Sequence, residues 1–226
     1  MAARERELTD FVDQLLFGYR DGHELLAASC RLEAAQLRDV MQHVDAAVEH
    51  DDERQLVGIW LPSLSAYLLA ALWPAPERSR PGAVWAHALL LAPAQLARGR
   101  VASLLALLRR PRDERFEEYG RWLEWPPQTP ASATPPPLVR TLTEAVRSRD
   151  RRPRIVLWRE PAQAEGALVS LLDAAPAARR REISFRTRER ARINGWPYRV
   201  QVAASISGRP DEEGPLVVDA REPEPG

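Results

Sequence analysis

Apolar residues along this chain follow two periods, one of two residues and one of three to four. Val12 to Tyr19 (VDQLLFGY) gathers strand formers toward its end, Asp21-Gly22 is a tight-turn dipeptide, and His23 to Cys30 (HELLAASC) returns as a second strand. A hairpin of this kind calls for a positive φ at Gly22. Leu32, Leu37, Val40, Met41, Val44 and Val48 then recur at helical spacing. Leu56 to Trp60 and Tyr67 to Trp73 read as strands that stop at Pro62 and Pro74. Ala83 to Leu91 (AVWAHALLL) alternates as the next strand, with Val84, Ala86 and Ala88 on one face and Trp85, His87 and Leu89 on the other. Pro93 opens a short helix, and Val101 to Leu108 reads as another that ends at Arg109-Arg110-Pro111.

Residues 126–137 (PPQTPASATPPP) contain six prolines and can continue neither a helix nor a central strand. Beyond them Leu138 to Arg147 is helical, Ile155 to Trp158 a strand, Pro161 to Ala174 a helix, and Ile183 to Thr187 and Tyr198 to Ile206 strands, with Leu216 to Val218 a last edge. Strand, helix, strand in that order permits a right-handed βαβ unit. The expected fold is α+β: a mainly antiparallel sheet with packed helices, followed by a smaller C-terminal α/β portion. The expected divisions are an N-terminal domain over 8–125, a linker over 126–137, a C-terminal portion over 138–220 packed on the first, and a tail over 221–226.

Composition narrows the function classes. The 226 residues are 28% charged with a formal net charge of 0, which gives no overall pull toward nucleic acid. No apolar run is long enough to cross a bilayer and the first residues lack a signal-peptide core, so a cytoplasmic location is expected. Cys30 is the single cysteine, which excludes an internal disulfide and a cysteine zinc cluster. Every one of the 32 basic residues is arginine. Without lysine there is neither a Schiff base nor a phosphate-loop Lys, and no Gly-rich phosphate loop is present. No cofactor is expected.

Two histidines stand beside glycine-containing turn signals. His23 follows Asp21-Gly22, and a carboxylate beside an imidazole suits a general base or a metal ligand. The same residues also fit a turn whose histidine bonds the loop backbone. His87 lies inside an apolar strand; it either faces His23 across the sheet or is a hydrogen-bonded core histidine. His43 and His50 read as surface residues. Arg78 and Arg80, in the connection Pro74 to Gly82, carry forks that suit phosphate or carboxylate, or pair with neighbours such as Glu77. Trp122 and Trp125 either pack the linker down or form a partner patch. The arginines from Arg179 to Arg192 read as a solvated face, with an acidic or nucleic-acid partner as the alternative.

Two blocks of residues resemble the N-terminal domain, type 1, of bacterial GTPase-associated protein 1. The first is Gln14-Leu15-Leu16-Phe17-Gly18-Tyr19 with Asp21-Gly22-His23, Leu25-Leu26 and Ser29. The second is Tyr67, Trp73, Glu77, Arg80, Gly82, Val84-Trp85, His87 and Leu89-Leu90, and Ser184-Phe185 with Thr187 is a looser echo. The resemblance implies an interaction or adaptor domain of a GTPase-linked conflict, or anti-phage defence, system. Its expected partners are a GTPase-like protein of that system and further domains of a longer parent protein, with neither membrane nor nucleic acid. The partner surface would use Arg78, Arg80, Trp122 and Trp125. The rival is an enzyme or ligand-binding domain with a site at His23, Asp21 and His87.

Overall fold

The computed structural model describes residues 10–45, 54–77, 82–98, 100–112, 116–127, 136–148, 152–192, 198–207 and 215–220. Its strands are β1 (Phe11–Tyr19), β2 (His23–Ala28), β3 (Gln55–Leu61), β4 (Ala66–Pro74), β5 (Val84–Leu91), β6 (Leu123–Glu124), β7 (Arg154–Leu157), β8 (Phe185–Arg192), β9 (Val200–Ser207) and β10 (Leu216–Asp219). Its α-helices are α1 (Ala34–Val44), α2 (Pro93–Arg98), α3 (Pro136–Arg147) and α4 (Glu165–Ala174). All the strands join one sheet in the order β10-β7-β9-β8-β3-β4-β5-β1-β2, with β6 paired to the start of β1.

Strand direction divides this sheet. β2, β1, β5, β4 and β3 are antiparallel neighbours, whereas β8, β9, β7 and β10 are parallel. The fold is therefore α+β, with an antiparallel N-terminal half and an α/β C-terminal half. The halves meet at an antiparallel seam in which Val57 pairs with Arg186 and Gly58 with Phe185. Only a glycine fits at 58, because a Cβ there would stand 2.7 Å from Tyr67 Oη and closer still to the Phe185 ring. Around the seam, the Leu56 N–H donates to Thr187 Oγ1 at 2.8 Å and the Tyr67 hydroxyl donates to the Ile183 carbonyl at 3.0 Å. Arg54, from the start of β3, pairs with the buried Glu165 at the start of α4.

Alternation puts Val12, Leu56, Tyr67, Leu69, Leu89, Val156 and Val202 on one face of the sheet, where they share a core with α3 and α4. Leu15, Phe17, Val57, Leu68, Ala70 and Ala88 face the other way, under Val40 and Val44 of α1. The alanines among them leave room for α1 to approach. Its first turn is held by the Glu33 N–H, which donates to Gln36 Oε1 at 2.9 Å.

Three local expectations change. Gly22 does not take a positive φ; among the described residues only Ser65 and Gly82 do. The β1–β2 connection is three residues long, with Tyr19 paired to His23 and the Arg20 N–H donating to the Gly22 carbonyl at 3.2 Å. A two-residue mirror-image turn would need the left-handed glycine; this one does not. A Cβ at Gly22 would meet nothing within 4 Å, so Gly22→Ala is expected to stay within about 0.5 kcal/mol of wild type. A thermal melt checks this, and a fall beyond roughly 3 °C would contradict it. The second change is the helix expected from Val101, which is a 3-10 helix over Val101–Leu107. The Asp173 carboxylate accepts its first two N–H groups, from Val101 at 2.7 Å and Ala102 at 2.9 Å. The third is at the proline-rich span: α3 begins at Pro136, inside it, and 128–135 lie outside the described residues.

Candidate functional site

His87 lies at the centre of β5, fully buried, on the face of Val12 and Leu89. Its Nδ1 accepts the Arg109 backbone N–H at 3.1 Å, which leaves the proton on Nε2 to donate to Gln14 Oε1 at 2.8 Å. Gln14 comes from the neighbouring strand β1 and is also fully buried. Its amide nitrogen donates to the carbonyls of Glu118 at 2.9 Å and Arg121 at 2.6 Å. The Tyr119 ring stands edge-on to the imidazole with centroids 5.0 Å apart. Burial, reinforced by the positive Arg109, pushes the His87 imidazole down to about 3. His87 is thus neutral, with both nitrogens engaged, and has no lone pair left for a metal or a substrate proton.

The partners of this buried pair line a cleft. Arg109, Arg110, Arg112, Glu117, Glu118, Tyr119 and Arg121 border an open hollow of about 670 Å³ above it. Arg109 is fixed twice, by Glu118 at 3.0 Å and by the Tyr119 ring 5.3 Å beneath its guanidinium. Arg110 is held by Glu77 at 2.6 Å, and the Trp85 Nε1–H donates to the other oxygen of that carboxylate at 2.6 Å. Burial pulls the Glu77 carboxyl upward, but the Trp85, backbone and Arg110 hydrogen bonds outweigh it and hold the group below the ordinary range. Trp85 can lie flat against β1 because Gly18 has no side chain: a Cβ there would be 2.7 Å from Leu26 Cδ1 and closer to the indole.

The other expected site residues lie apart. His23 opens β2 opposite Tyr19 and stacks on Phe17, on the α1 face, so the sheet itself separates it from His87. The structure does not bring the two histidines together. Asp21 is an exposed loop residue, and the carboxylate nearest the His23 imidazole belongs instead to Asp45, 3.4 Å from Nδ1. The two groups make no hydrogen bond, and among the described residues both ring nitrogens are buried without a hydrogen-bond partner. Burial lowers the His23 pKa against the opposing pull of Asp45. No group of three potential metal ligands occurs among the described residues.

His43, expected at the surface, is buried, and its Nδ1 is 2.9 Å from the Tyr198 hydroxyl. His50, Arg78 and Arg80 lie outside the described residues. Trp125 is half-buried against the core, donating from Nε1 to Ser103 Oγ at 3.1 Å. Trp122 is 65% exposed and meets Phe11, itself 38% exposed, with ring centroids 6.0 Å apart. Burial pushes the half-buried Cys30 thiol up to about 11, which keeps it protonated and unreactive.

The arginine-rich stretch from 179 is not a uniformly solvated face. Arg180 is buried and donates to the carbonyls of Leu96, Ala97, Asp173 and Ala175, closing the ends of α2 and α4. Arg186 is buried on the opposite face, bonded to Gln55 Oε1 at 2.9 Å. Arg181 lies 4.4 Å over the Trp60 ring. Within this stretch Arg179 is exposed and pairs with Glu182.

Sequence reasoning missed the cleft because its arginines fall in segments without periodicity. The available signal was the density of Arg109, Arg110, Arg112 and Arg121 on either side of Tyr119. No helix of the described residues is long and apolar enough to cross a membrane. No curated protein and no solved structure matches the chain. A family model does match, from the first residue of β1 to the loop that enters the cleft: residues 11–108 are similar to the GTPase-associated protein 1 N-terminal domain, type 1.

Proposed function

We propose that the protein is an interaction domain, an adaptor, of a GTPase-associated bacterial conflict or anti-phage defence system, and that it docks a GTPase-like protein of that system in the cytoplasm. The family description supplies the GTPase association. The observation that carries a docking role is the Phe11–Trp122 pair, large apolar rings left in solvent where β1 meets β6. Exposed tryptophan is enriched at the energetic centres of protein interfaces. We infer that Trp125, just beyond β6 in the chain, and Arg78 and Arg80 also belong to the partner-binding set.

The test is capture of a GTPase-like protein of the same system. Phe11→Ala with Trp122→Ala is expected to weaken binding at least tenfold while the melting temperature stays near wild type, since both rings are outside the core. Arg78→Ala with Arg80→Ala is expected to weaken it further. Undiminished capture by the aromatic double variant would reject the patch.

A further inference from the structure

We propose a phosphate-binding site in the arginine cleft, one that takes a small phosphorylated molecule; it goes beyond docking and does not depend on it. Two of the four guanidinium groups are already held in place, Arg109 by Glu118 and Tyr119, and Arg110 by Glu77. The other two, Arg112 and Arg121, line the same space and have no side-chain partner among the described residues. A guanidinium offers a planar fork of donors matched to phosphate oxygens. A ligand placed between two fixed forks and two uncommitted ones gains charge-assisted hydrogen bonds without first breaking an ion pair.

The cleft is built rather than incidental. The buried Gln14–His87 pair spends its hydrogen bonds on the backbone of Arg109, Glu118 and Arg121. A polar pair at the centre of an apolar sheet is costly unless satisfied, and here its partners are the cleft walls. His87 is accordingly a positioning residue, acting through the backbone of Arg109. The volume of about 670 Å³ falls in the range of small-molecule sites and is concave. Glu117 and Glu118 also line it. Among the described residues, Glu118 is engaged by Arg109, which leaves Glu117 as the carboxylate an anion must approach, against the guanidinium groups of Arg112 and Arg121.

Isothermal titration of the intact chain with inorganic pyrophosphate, at low ionic strength, tests this site. Saturable one-site binding is expected, weakening as salt is raised. Arg112→Ala with Arg121→Ala should reduce affinity at least tenfold, and Arg159→Ala, an exposed arginine elsewhere, should leave it within twofold. Should the alanine pair fail to fold by circular dichroism, Arg112→Gln with Arg121→Gln replaces it. Absence of saturable binding by wild type, binding retained in the cleft variant, or an equal loss in Arg159→Ala would each overturn the site. Partner capture is read separately on the same variants: loss of pyrophosphate binding with capture intact separates the cleft from the aromatic patch.

Discussion

Gly58→Ala is expected to lower the stability of the protein by about 3 kcal/mol, and its melting temperature by roughly 6–12 °C. The added methyl would enter the space of Phe185 and reach 2.7 Å from Tyr67 Oη, and both rings are fully buried. Neither can retreat easily. Phe185 is paired to Gly58 itself across the seam, and Tyr67 is tied to the Ile183 carbonyl. Relief has to come from moving β8 away from β3, where only two residue pairs hold them in register. Phe185→Leu in the same chain should recover part of the loss by vacating that volume, a coupling that a double-mutant cycle measures. A melting temperature within about 2 °C of wild type for the single variant would show that the seam gives way without cost.

Replacing His87 should be as damaging and should also alter the acid behaviour. His87→Phe removes the acceptor for the part-buried Arg109 N–H and the donor to the fully buried Gln14 Oε1, and leaving that buried oxygen unpaired costs about 1–3 kcal/mol in addition to the lost bond to Arg109. In wild type the folded imidazole titrates near 3 and the unfolded one near 6.5. Between those values the unfolded chain holds a proton that the folded one refuses. Stability is therefore complete above about pH 6.5 and falls as pH drops toward 3, by at most about 1.4 kcal/mol per unit from this residue. His23 and His43, also lowered by burial, act in the same direction. Denaturant melts across pH 4–8 should show a shallower acid loss in His87→Phe, from a lower plateau. Parallel pH curves would refute the assignment of His87 as a neutral core residue.

The sheet was legible wherever hydrophobic spacing alone decides structure. β1, β4 and β5 are long runs bounded by proline or a turn dipeptide, and their alternation placed His87 on the correct face. Spacing could not say that His23 points to the other face. That depends on the hairpin pairing Tyr19 with His23, and on a bulge between Leu16 and Phe17 that shifts the β1–β2 register. Nor could it foresee Arg180 and Arg186 inside, since a buried arginine is permitted only by carbonyls and amides brought from distant segments. The cleft was hidden for the same reason. Its walls are fixed by Gln14, more than a hundred positions earlier in the chain than Glu118 and Arg121.

The narrow join between the antiparallel and parallel halves bears on how the chain can be divided. Separating the halves after residue 125 would strip β8 from β3 and leave Leu56, Val57, Ile59 and Leu61 on a bare strand edge, its amides and carbonyls unpaired. Such an edge templates intermolecular pairing and aggregation. An N-terminal piece of this protein, however well its own core is formed, would carry an adhesive border that the C-terminal strands cover in the intact chain.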